Sequence, residues 1–148
     1  MRRARAIAII AIAWGTATWT GEAAPRATLP VAANSVKFAV IGDNGTGKQP
    51  QYDIARQMIA ARTRFPFEFV IMLGDNLYGS QDVVAKFEQP YATLLDASVP
   101  FFATLGNHDD PAKRTYKGFN MGGERYYTFA RGPVRFFVLD TNIMDRTQ

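Results

Sequence analysis

Three short segments carry residues able to do chemistry: Gly42-Asp43-Asn44-Gly45, Gly74-Asp75-Asn76-Leu77-Tyr78 and Gly106-Asn107-His108-Asp109. Asp43, Asp75 and Asn107 follow one another at intervals of 32 residues. Carboxylate, carboxamide oxygen, phenol and imidazole together suit hard or borderline cations. Two such cations about 3.5–4 Å apart activate a water and clamp the oxygen that leaves a phosphate ester. Within such a pair, bridging is the natural role for Asp75, on the middle strand. An Asp or Asn after a strand is also a common turn former or helix cap, and a lone Tyr or His is often only packing. Repetition at equal spacing, rather than any single segment, points to metal chemistry.

The elements that must position these residues are readable around them. Residues 36–41, 69–73 and 101–105 are short apolar runs, each followed by glycine at or beside its end, as in buried strands. Residues 51–64 place apolar side chains at 54, 55, 58, 59 and 61, the spacing of an amphipathic helix. Residues 81–97 predict a second helix that Pro90 ends or kinks. The order β-α-β-α-β predicts a parallel sheet with right-handed crossovers. A βαβ unit takes about 30 residues or more, so each repeat returns the chain to the same sheet edge. The ligand candidates then meet at the carboxyl ends of the strands, where open α/β sheets place their sites. The glycine ahead of each one lets the backbone turn sharply and leaves room. Downstream, residues 111–123 predict a loop, and residues 126–130 and 134–139 a hairpin through Arg131-Gly132-Pro133.

The composition is that of a globular chain: 148 residues, 47% hydrophobic and 20% charged. The sequence contains no cysteine, which excludes a disulfide framework and thiolate-bound metals. Arg2, Arg3 and Arg5 precede the apolar run Ala6 to Trp14, and small residues follow from Gly21 to Ala24. That order reads as a secretory signal peptide over residues 1–24, too short for a membrane span of about 20 apolar residues. Residues 25–35 form a linker, and residues 36–148 the domain. The expected product is secreted or periplasmic, without stable membrane association. Its mildly basic surface gives no reason to expect nucleic-acid binding.

A competing pattern overlaps the first segment. Gly42 to Lys48 fits G-x-x-x-x-G-K between a strand and a helix, most of a phosphate-binding P-loop. The Mg²⁺-binding hydroxyl is absent, because position 49 is Gln, and Pro50 follows at once.

Together the three segments resemble the DxG, GDxxY and GNH(D/E) blocks of the metallophosphoesterase superfamily. Asp43-Asn44-Gly45 and Tyr78 are similar to the purple, tartrate-resistant acid phosphatase branch in particular. Phe119 to Tyr127 and Leu139-Asp140-Thr141 resemble the same family. The resemblance implies an α/β fold, the N-terminal half of a four-layer α/β/β/α sandwich. It implies a binuclear centre of Fe(III) plus a divalent Fe, Zn or Mn that hydrolyses phosphate monoesters. By it, Asp43 and Tyr78 would bind the ferric ion, Asp75 would bridge, and Asn107 would bind the divalent metal and the substrate. His108 would contact the phosphate and protonate the leaving alkoxide, with Asp109 orienting or tuning it. The family's later VxxH and GHxH blocks have no counterpart here, and the chain contains one histidine. The expectation is therefore a fragment with negligible activity of its own. Hydrolysis of phosphodiesters or nucleotides, and a non-catalytic binding module, are the alternatives.

Overall fold

The computed structural model describes residues 32–143. The expected signal segment and most of the linker lie outside the described residues.

Three apolar segments form the parallel sheet: β1 (Phe38–Ile41), β2 (Phe69–Met72) and β3 (Phe101–Ala103), in the order β1-β2-β3. Ile41 pairs in register with Met72, and Met72 with Ala103. The strands thus end level, and the three ligand-bearing loops leave the same edge. Between β1 and β2 lies α1 (Gln49–Arg62). It starts two residues earlier than its apolar spacing predicts. Pro50 sits in its first turn, where a missing N–H costs nothing and the fixed φ suits a helix.

The second predicted helix is broken. A π-helical turn, Val84–Glu88, precedes Pro90, and α2 (Ala92–Asp96) follows it. The region 111–123 is not featureless, since it holds two 3₁₀ turns, Pro111–Thr115 and Lys117–Phe119. The predicted hairpin forms as β4 (Tyr127–Arg131) paired antiparallel with β5 (Val134–Val138).

Strand side chains alternate between faces, and each face finds a different partner. Val70, Met72, Phe101 and Ala103 pack with Ala55 and Met58 of α1 and with Phe87, Tyr91 and Leu94. Phe69 and Phe102 turn to the opposite face and meet the hairpin. There Phe129 stacks on Phe102 at 3.9 Å and on Phe136 at 4.8 Å. Arg131 lies 4.8 Å over the Phe102 ring. The described residues thus make three layers, helices, parallel sheet and hairpin, as expected for part of a metallophosphoesterase sandwich. Among them, no helix is long and apolar enough to cross a membrane.

Candidate metal centre

Asp43 and Asp75 leave their strands in the left-handed region, with φ of 52° and 51°. That conformation is uncommon outside glycine; Asp and Asn tolerate it best, and such strain gathers at functional sites. It turns both side chains toward the same space. The Tyr78 hydroxyl lies 2.8 Å from Asp43 Oδ1 and 2.9 Å from Asp75 Oδ2. A phenol has one proton to donate, so it serves one carboxylate at a time. The bonded Asp43 carboxylate, burial and then the Asp75 carboxylate push the Tyr78 phenol well above its ordinary range.

The loops are tied edge to edge by main-chain bonds. Gly45 N donates to Asp75 O, and Tyr78 N donates to Gly45 O. A Cβ on Gly106 would lie 2.1 Å from Asp75 N and Oδ1, so only glycine fits against that turn. Asp75 Oδ1 in turn accepts His108 N–H at 3.2 Å. Asn107 and His108 are exposed, and the His108 ring lies 4.9 Å from that of Tyr78. Asp109 is buried, and its carboxylate accepts N–H groups from Asn76, Leu77 and Gly106.

Asp43, Asp75 and Asn107 line one cavity of about 350 Å³. Thr141 and Asn142, just beyond β5, line its other side. Sequence reasoning did not single out this wall; its only signal was the resemblance at Leu139-Asp140-Thr141. Asp140 is fully buried and accepts Arg125 Nε at 2.7 Å and Asn142 N at 3.0 Å. Asn142 Nδ2 reaches Leu105 O at 3.1 Å, so the hairpin end is fastened to the end of β3. Gln81 also escaped notice. Its carboxamide contacts Leu77 O and His108 O and accepts Asp110 N–H, linking the second and third loops.

The P-loop pattern does not build a phosphate cradle. Such a cradle needs free main-chain N–H groups. Here Asp43 N donates to Gly74 O, Gly45 N to Asp75 O, Gly47 N to Gln51 Oε1 and Lys48 N to Thr46 Oγ1. Lys48 is exposed at the start of α1.

Residues 36–146 match the family model described as calcineurin-like phosphoesterase. The chain belongs to that family. It is 32% identical over 124 residues to purple acid phosphatase 7 of Arabidopsis thaliana. That similarity covers 73% of this chain and 38% of the relative, so the chain matches well under half of that protein's length. The resemblance to the purple acid phosphatase branch is thereby borne out. No solved structure matches the chain significantly.

The donor set suits a hard cation. Among the described residues, no three or more His, Cys, Asp and Glu side chains gather as a cage. The convergent group is two carboxylates and a phenol, with the Asn107 carboxamide on the same cavity. Hard, highly charged cations prefer oxygen ligands of this kind.

Proposed function

We propose that this chain carries one side of a binuclear metal site for hydrolysing phosphate monoesters. The observation behind this reading is the convergence of Asp43, Asp75 and the Tyr78 hydroxyl within hydrogen-bond distance. Two carboxylates disfavour a third negative charge beside them. Ionising Tyr78 therefore calls for a strongly charged cation, which favours Fe(III) as the ion Asp43, Tyr78 and Asp75 would hold. Asn107 and Asp75 would share the divalent ion. Bound there, the metals would supply Lewis acidity and an acidified water.

The chain's own groups do the rest. The Asn107 carboxamide, exposed on the cavity rim, orients the phosphate through hydrogen bonds. His108, exposed beside the Tyr78 ring, gives a proton to the leaving alkoxide oxygen, a positioned general acid. The Tyr78 ring lies beside the imidazole, tilted 44° to it, and the Asp75 bond to the His108 main-chain N–H holds the backbone that carries it. Exported function, in the secreted or periplasmic space, accords with the N-terminal residues.

Donors from these residues alone fall short of two coordination spheres of about five or six ligands each. We expect the 148-residue chain to bind metal weakly and to turn over phosphate esters negligibly.

The test has two parts. Titration with Fe(III) citrate should raise a visible tyrosinate-to-iron band that Tyr78→Phe abolishes. A chromogenic phosphate monoester should be hydrolysed negligibly by this chain. It should be hydrolysed readily by the same residues joined to a segment carrying VxxH and GHxH blocks. A band absent from the wild type sinks the ferric assignment. Hydrolysis of diesters but not monoesters by the extended protein moves the substrate to phosphodiesters. Metal uptake without any turnover by that protein makes it a binding module.

A further inference from the structure

We propose that Asp109 is a positioning residue whose carboxylate clamps the second and third loops together and so sets the spacing of the metal-ligand residues. The role rests on reading Asp75, Tyr78 and Asn107 as ligands. Asp109 is 6% exposed. Its Oδ2 accepts Asn76 N at 3.1 Å, Asn76 Nδ2 at 2.8 Å and Gly106 N at 2.8 Å. Its Oδ1 accepts Leu77 N at 2.8 Å. A carboxylate accepts through both oxygens; here Oδ2 gathers three N–H groups and Oδ1 one.

The choice of amides carries the argument. Asn76 directly follows Asp75, Leu77 directly precedes Tyr78, and Gly106 directly precedes Asn107. One carboxylate therefore holds the main chain beside each of three ligand candidates. The tie is returned from the other side, because Asp75 Oδ1 accepts His108 N–H at 3.2 Å. Each loop sends an acid into the amides of the other. Asp109 thus reaches His108 through the backbone and through Asp75. The ring itself stands beside Tyr78.

Groups that orient metal ligands, when altered, typically cost about ten- to a hundredfold in metal affinity. Asp109→Asn keeps the shape but turns one acceptor into a donor facing other donors. Fe(III) citrate titrations of the 148-residue chain, read by the tyrosinate-to-iron band, should give at least about a tenfold weaker midpoint for this variant. The band maximum should also move, because Leu77, beside Tyr78, is released. A core variant of matched melting temperature, such as Leu94→Ala, should keep both midpoint and maximum. Asp109→Glu retains the charge and all acceptors one methylene further out. It should fall between wild type and Asp109→Asn, and it carries the comparison if Asp109→Asn does not fold.

A folded Asp109→Asn, or Asp109→Glu in its place, with wild-type midpoint and band overturns the clamp. So does loss no greater than that of Leu94→Ala. A wild-type chain with no band at any iron level removes the metal reading and this role with it. That failure is distinct, because it appears before any variant is made.

Discussion

A Cβ placed on Gly45 would lie 1.8 Å from the carbonyl oxygen of Asn76. The first loop therefore runs against the second with no room for a side chain. The contact is fixed by two main-chain bonds, from Gly45 N to Asp75 O and from Tyr78 N to Gly45 O. Gly45→Ala must push these loops apart, and the strain has only backbone to absorb it. We expect a loss of about 3 kcal/mol, at the upper end for overpacking, read as a lower urea midpoint with an unchanged slope. A variant as stable as wild type would mean that the loops separate freely.

Tyr78→Phe keeps the ring beside His108 and removes only the hydroxyl shared by Asp43 and Asp75. The phenol is held protonated well above its usual range by the bonded Asp43 carboxylate, by burial and by Asp75. Binding a cation there must release that proton, since a phenolate is the ligand. Calorimetry of Fe(III) uptake in buffers of different ionisation enthalpy should count one proton fewer for Tyr78→Phe. Equal proton counts in both proteins would remove Tyr78 from the ligand set.

Asp140 should contribute to the acid limb of stability. Burial alone pushes its carboxyl up, but the bonds from Arg125 and Asn142 override this and hold it below the usual range. Its folded value is therefore lower than the unfolded value of about 3.9. The stability it contributes is present above the unfolded value and is lost as pH falls through the folded one. Asp140→Asn removes the charge facing Arg125, whose side chain stays 32% exposed, and should cost about 1.5 kcal/mol near neutrality, the lower end for a bond to a charged group. Melting temperatures from pH 7 down to pH 2 should show the gap to wild type closing below about pH 4. A gap that stays constant would refute the assignment.

Phe129 holds the hairpin to the sheet through Phe102 and Phe69, and stacks on Phe136 within the hairpin. Phe129→Ala should cost about 3 kcal/mol, the lower end for a large aromatic because the site is only partly buried. Amide exchange should quicken first in β4 and β5 while β2 stays protected. Uniform loss across both sheets would show that the hairpin and parallel sheet unfold as one unit.

The strands and the level meeting of Asp43, Asp75 and Asn107 were legible because buried parallel strands leave continuous apolar runs. The break at Pro90 was legible as a kink, but its π-helical turn was not, since no residue type marks one. Ile54 fits the apolar stripe of α1 yet is half exposed. Spacing alone does not say how far a neighbouring layer extends. The partners of Asp109 were hidden for a different reason. Its bonds run mostly to main-chain N–H groups, which every residue but proline carries, so the sequence holds no mark of them. The left-handed turns at Asp43 and Asp75 were equally silent, because the glycines beside them drew attention first; Gly74 does turn at φ 107°, but Asp75 after it turns as well, and in the first loop Asp43 is left-handed where Gly42 is not.

Those two turns also bear on how mutants of the site should be chosen. Alanine at position 43 or 75 would delete a carboxylate and also install a side chain ill suited to a φ near 50°. Such a scan would mix a chemical loss with a folding loss and overstate the first. Asparagine accepts the same backbone and removes only the charge, whereas glycine relaxes the turn and removes the side chain. Reading the asparagine and glycine variants side by side separates what these aspartates do for ligands from what they cost the fold.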